Sequence, residues 1–132
     1  AMSDVELLGS LDADTLAAEY QRAAVFAAPA RYEPFGLAAV EAGLAHCALV
    51  LGDIATLREV WGDAALYVSP DDDATLAATI RRVLDDDALR AELGRRAHRR
   101  ASSYSPARMA DAYRAAYAEL ALLRSPASLA MQ

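Results

Sequence analysis

The sequence predicts an α/β fold: a Rossmann-like parallel sheet of about four strands with helices on both faces and a helical C-terminus. Three observations carry that prediction. Short apolar runs alternate with segments of helical period through the first half of the chain. The runs are continuously apolar, as parallel strands are when both of their faces are covered. Beyond Pro70 the pattern turns wholly helical, so the alternation ends in helices. A length of 132 residues with 55% hydrophobic content is enough for one core and too little for two. The expected organisation is therefore one domain over residues 1–124 and a short tail over residues 125–132.

Taken in order, Val5-Glu6-Leu7-Leu8-Gly9 is an apolar run closed by glycine and reads as a strand; Asp12 or Asp14 then caps a helix through Leu16 and Tyr20. Ala24-Val25-Phe26-Ala27-Ala28-Pro29 reads as a buried strand, residues 31–36 as an irregular loop, and Leu37, Val40, Glu41 and Leu44 as the opening of the next helix. Cys47-Ala48-Leu49-Val50-Leu51 is a third strand and Ala64-Ala65-Leu66-Tyr67-Val68 a fourth. The short helix between them is marked by Thr56 and Glu59, which fit a capping box, and by Gly62, which suits its stop. Leu76, Ile80, Val83 and Leu84, then Leu89 and Leu93, form a helical stripe. Ser105 and Pro106 open the last helix as cap and first residue, with Met109, Tyr113, Tyr117 and Leu120 on one stripe.

Charge and cysteine content exclude several function classes. A net charge of -6, from 13 basic and 19 acidic residues, argues against nucleic acid and anionic membrane surfaces, which need a basic face. The single Cys47 and the isolated His46 and His98 supply neither a disulfide framework nor a metal-ligand spacing. No apolar run is long enough to span a membrane, and the first residues carry no signal pattern, so a cytoplasmic soluble chain is expected. The triplets Asp71-Asp72-Asp73 and Asp85-Asp86-Asp87 read as helix caps and solvated acids before metal ligands. Arg95, Arg96, Arg99 and Arg100 read as a solvated helix flank, and Arg58 as an exposed helix charge. Adjacent residues at a strand start face opposite ways, so His46 and Cys47 read as core or turn residues and not as a dyad.

Ligands of open parallel sheets bind outside the carboxyl ends of the strands, which directs attention to the loop after Val25 and Phe26. It reads Arg31-Tyr32-Glu33-Pro34-Phe35-Gly36-Leu37, with a second acid at Glu41. Glu33 precedes the helix and Glu41 lies about a turn inside it, so two carboxylates can flank a helix N-terminus and take hydroxyls of one polyol ligand. Gly36 permits close backbone approach, and the first-turn amides favour a phosphate. The plainer alternative is that both acids merely complement the helix dipole.

Glu33-Pro34-Phe35-Gly36-Leu37 with Glu41-Ala42 resembles the E-x7-E signature of the group 1 (family four) retaining glycosyltransferases, whose two-Rossmann architecture is called GT-B. Leu57-Arg58-Glu59-Val60, Gly62-Asp63-Ala64-Ala65 and the Tyr104-Ser105 helix start fall where that family's C-terminal domain has them. The resemblance implies the donor-binding part of an enzyme that moves a hexose from a nucleoside-diphosphate sugar to an acceptor. It implies Glu33 at the catalytic position, holding hydroxyls of the transferred sugar as a binder and not as a nucleophile. The amides of Phe35, Gly36 and Leu37 would meet sugar and diphosphate, and Glu41 the ribose hydroxyls. No metal or other cofactor is implied.

Departures from the family pattern are as specific. His46 stands in place of a helix-stop glycine, and Ala55-Thr56 in place of a Gly-Gly loop. The upstream strands with their basic diphosphate motifs and the N-terminal acceptor domain are missing from the sequence, so the chain is expected to be a truncated half-site, inactive alone. The acceptor domain becomes the expected partner and the expected site of any peripheral attachment to the inner membrane. In the strand order 3-2-1-4-5-6, residues 5–9 and 25–28 would both have open edges. Either residues 5–9 move in beside residues 25–28, or two chains pair across the gap as a homodimer. The alternative function is a non-catalytic nucleotide-binding or interaction module with the same fold.

Overall fold

The computed structural model describes residues 4–123, which fall into two compact units divided between Ala101 and Ser102. The first holds α1 (Ala13–Arg22), β1 (Val25–Ala28), α2 (Leu37–Leu44), β2 (Ala48–Gly52), α3 (Ala55–Trp61), a single 3-10 turn (Gly62–Ala64), β3 (Leu66–Val68), α4 (Asp73–Asp85) and α5 (Asp87–Ala101). The second holds α6 (Pro106–Leu123). Within it, Ser105 Oγ accepts from the Arg108 amide at 3.2 Å, as a cap ahead of Pro106 should.

The sheet is parallel, in the order β1-β2-β3, with Val25 opposite Ala48 and Val50 opposite Leu66. Every residue of β2 is buried, which is why its sequence is apolar without alternation. Ala48, on the face it shares with Val25, packs with Val83 of α4 and Leu93 of α5. Leu51, on the opposite face with Phe26 and Ala28, borders a cavity of about 40 Å³ against Ala39 of α2 and Leu57 of α3. Helices thus cover both faces.

Among the described residues, three strands form where about four are expected. Residues 5–9 make no strand: Val5 and Leu7 are 56% and 88% exposed, so this segment does not move in beside β1. A strand draws its backbone hydrogen bonds from neighbours, and among the described residues nothing pairs with residues 5–9, however apolar they are. β1 is consequently an edge, with Ala27 exposed. The last strand starts later than expected, at Leu66, because Ala64 is taken up by the 3-10 turn. The expected break at 124/125 lies outside the described residues.

Asp12, not Asp14, caps α1, accepting from the Thr15 amide at 2.8 Å. Asp72 caps α4 through the Thr75 amide at 2.9 Å and Asp86 accepts from the Leu89 amide at 2.9 Å, so these aspartates are occupied at helix starts. The capping box does not form: α3 begins at Ala55 with Ile54 as its cap residue. A capping threonine must sit outside the helix in extended backbone, whereas Thr56 is inside. Gly62 does end α3, at φ 53°. Arg100 is exposed, as a solvated flank should be, and also bonds the chain. Its guanidinium donates to the Val60 and Glu59 carbonyls at 2.5 and 3.1 Å, closing the C-terminal end of α3.

His46 holds the left-handed conformation, φ 65°, that a glycine would take freely. Its ring stacks on His98 of α5 at 3.9 Å between centroids, and His98 Nδ1 donates to the Leu44 carbonyl at 3.0 Å. Cys47 turns the other way, its thiol donating to the Tyr20 carbonyl at 3.1 Å. Burial pushes that thiol's pKa up.

Candidate functional site

The loop after β1 runs across the carboxyl ends of the other strands. Ala30 passes directly over Gly52, the last residue of β2: a Cβ at Gly52 would overlap the Ala30 carbonyl oxygen and lie 2.9 Å from its nitrogen. Arg31 then pairs with Asp71, in the loop after β3, donating from Nε at 2.9 Å and also from Nη2. The first turn of α3 holds the next point, because Thr56 Oγ1 donates to the Glu33 carbonyl at 2.7 Å. One loop is thereby fixed at the ends of all three strands.

Glu33 is half-buried in this loop. Its Oε1 accepts from the Gly36 amide at 2.9 Å and from the Phe35 amide at 3.3 Å. Gly36 is the cap residue of α2 at φ 84°, ψ 58°, a left-handed conformation that explains a glycine there. It supplies no side-chain cap to the first-turn amides of α2, which begin at Leu37 and form a positive helix end. Leu37 is 70% exposed and Tyr32 82% exposed, leaving apolar surface on either side of Glu33.

Glu41 is exposed one turn inside α2 and borders a different cavity, of about 380 Å³, with Leu16 and Tyr20 of α1 and Leu44. Burial first, and the Glu41 charge second, raise the Tyr20 pKa. The structure therefore sets the two acids on either side of α2, bordering separate cavities. It brings Glu33 together with the amides of Phe35 and Gly36, and leaves Leu37 at the helix start.

Sequence reasoning missed three features around the loop. Thr56 sits where the family pattern has a glycine, and a hydroxyl at that place was the available signal. Gly52 and the Arg31–Asp71 pair left none, since both depend on which loops the sheet brings together. Arg58 is likewise no free charge: it donates to Asp53 from Nε at 2.5 Å and Nη2 at 2.8 Å, and its guanidinium lies 4.4 Å from the Tyr67 ring centroid. That hydrogen bonding holds the Asp53 carboxyl below its ordinary pKa.

Residues 2–100 match the family model for glycosyl transferases group 1. The chain belongs to that family. It is 41% identical over 98 residues to a glycogen synthase of Mycobacterium tuberculosis, covering 73% of this chain and 24% of the relative. It is 38% identical over 103 residues to a phosphatidyl-myo-inositol mannosyltransferase of Mycolicibacterium smegmatis, covering 76% and 27%. Among solved structures, a sucrose-phosphate synthase from Thermosynechococcus elongatus superposes with a TM-score of 0.74 at 30% identity, over 87% of this chain and 31% of that one. The chain spans about a quarter of the length of these curated relatives. The α/β fold of this group 1 domain is that of part of a GT-B glycosyltransferase.

Proposed function

We propose that this group 1 domain is the donor-binding part of a retaining glycosyltransferase that transfers a hexose from a nucleoside-diphosphate sugar to an acceptor. The observation that carries the reading is the placement of Glu33. Its carboxylate stands at the carboxyl end of a parallel sheet, on the N-terminal end of α2, with a second acid eight residues on at Glu41. Glu33 takes hydroxyls of the transferred sugar, the amides of Phe35, Gly36 and Leu37 meet sugar and diphosphate, and Glu41 takes the ribose hydroxyls. In this reading the domain works without a metal or other cofactor, and the positive helix end contributes to stabilising the diphosphate leaving group.

The partners are the donor, an N-terminal acceptor domain and, across the free edge of β1, a second copy of the chain; with a net charge of -6, nucleic acid is not among them. No helix among the described residues is long and apolar enough to cross a membrane. The reading places the reaction in the cytoplasm, with any attachment to the inner membrane carried by the acceptor domain.

Calorimetric titration with UDP, GDP and ADP and their glucose or mannose conjugates, with Glu41→Ala as control, tests this. Saturable binding of one nucleotide, lost in Glu41→Ala, is the expected result. One observation favours the alternative of a non-catalytic interaction module: Glu33 Oε1 is engaged by the Phe35 and Gly36 amides, as a structural cap would be. Absence of binding at millimolar ligand to a folded chain means that the family's upstream strands are essential for binding or that the site is vestigial, and moves the reading towards that alternative.

A further inference from the structure

The donor reading leaves open what fixes Glu33. The loop that carries it has no regular secondary structure between the end of β1 and the start of α2, and a carboxylate that selects among sugar hydroxyls must be held to a fraction of an ångström. We propose that Thr56 is the positioning residue for Glu33. Its Oγ1 donates to the Glu33 carbonyl at 2.7 Å from the first turn of α3. This tie joins the loop to a helix whose Leu57 and Trp61 are fully buried, at 1% and 0% exposure.

Two flanking contacts define what is left for Thr56 to do. The close approach of Ala30 to Gly52 and the Arg31–Asp71 pair hold the loop upstream of Glu33. Downstream, the Gly36 amide donates to the Glu33 carboxylate at 2.9 Å, a bond within the loop, and the Gly36 carbonyl accepts from the Val40 amide of α2 at 3.1 Å. Thr56 therefore makes the hydrogen bond that ties the Glu33 main chain to the core of the unit. Without it the Glu33 main chain loses its hydrogen bond to α3, one fixed point between the upstream contacts and the start of α2. The hydroxyl does this while exposed, inside a helix, so its removal leaves the apolar core intact.

This inference rests on the donor reading for its purpose, but its geometry can be tested without a ligand. The experiment is amide hydrogen exchange on the whole chain as wild type, Thr56→Val and Thr56→Ser. A single net hydrogen bond corresponds to an exchange change of about three- to tenfold. Thr56→Val is expected to speed exchange at Phe35 and Gly36 by that factor while Leu49, Val50 and Leu51 of β2 keep wild-type protection. Thr56→Ser is expected to restore it. Unchanged exchange at Phe35 and Gly36 in Thr56→Val overturns the proposal, as does equal loosening of β2, or failure of serine to rescue. A second arm compares UDP-glucose with UDP and GDP-mannose with GDP. Thr56→Val is expected to keep the affinity for the nucleoside diphosphate and lose the increment due to the sugar; an equal drop in both shows a merely structural role. If none of the four binds the wild-type chain, the result counts against donor binding by this chain alone, and the exchange data still decide whether Thr56 holds Glu33.

Discussion

Gly52→Ala measures how tightly the Glu33 loop is bound to the sheet. Gly52 is not among the glycines with positive φ, so alanine meets no conformational objection there and the whole cost is steric. The added Cβ overlaps the Ala30 carbonyl oxygen and lies 2.9 Å from the Ala30 nitrogen. Both are main-chain atoms, which cannot turn aside as the end of a side chain can. Ala30 is itself held by its amide on the Ala28 carbonyl at 2.8 Å and by the Arg31–Asp71 pair that follows. Gly52 cannot retreat either, because β2 is buried along its whole length between β1 and β3.

Overpacking of this kind costs about 1–3 kcal/mol, and the rigid partners put Gly52→Ala in the upper half of that range. Against a total stability on the order of 5–15 kcal/mol the variant still folds. With a urea m-value of about 1–3 kcal/mol/M, the midpoint falls by roughly 1–2 M. Urea titration followed by the fluorescence of the buried Trp61 and by far-UV circular dichroism reads this directly. Gly36 supplies the contrast. Its φ of 84° strains most side chains while the nearest neighbour to an added Cβ is 3.4 Å away. Gly36→Asn should therefore be milder than Gly36→Ala, since asparagine tolerates left-handed backbone, whereas Gly52→Asn should be worse than Gly52→Ala. A loss below about 0.5 kcal/mol in Gly52→Ala, within the ordinary surface range, or the same ranking of Asn and Ala at both sites, refutes the packing argument.

The remaining expectations are simpler. Leu49→Ala, at a fully buried position in the central strand, should destabilise by about 2–5 kcal/mol in the same titration. The Thr75 hydroxyl and then its amide hold the Asp72 carboxyl below its ordinary pKa. With the folded value below the unfolded one, this stabilisation is complete above the unfolded value near 3.8 and is lost as pH falls through the folded value. Asp72→Asn keeps a capping side chain but not the titration, so the gap between wild type and Asp72→Asn should shrink between urea midpoints at pH 7 and pH 3. The Cys47 thiol, buried and raised in pKa, should react with a thiol reagent only at the rate of opening; fast labelling of native chain would show that the contact of Cys47 with Tyr20 does not hold.

Much of this was legible in the residues themselves. β2 reads from Ala48-Leu49-Val50-Leu51 because a strand covered on both faces needs no polar alternation. The start of α1 reads from Asp12 or Asp14, that of α4 from the triplet at residues 71–73 and that of α6 from Ser105, because a cap is a local bond between residues three apart, and the structure selects Asp12 and Asp72. Glu33, Gly36 and Glu41 were marked by their spacing around one helix start, and the left-handed Gly36 shows why that residue type is required. What the residues could not state is anything that depends on a neighbour distant in sequence. Residues 5–9 include three large apolar side chains, yet a strand exists only where another strand completes its hydrogen bonds. Thr56 and Glu59 satisfy a capping pattern, yet the Thr56 hydroxyl is taken by the Glu33 carbonyl 23 residues away. Arg100 looks like one of four exposed arginines, yet it closes a helix 40 residues upstream. Local sequence determined the caps of α1, α4 and α6, the periods and the chemical types at the site; tertiary packing alone decided which hydrogen-bonding groups distant in sequence meet, because each such group bonds the partner that the packed chain brings within about 3 Å.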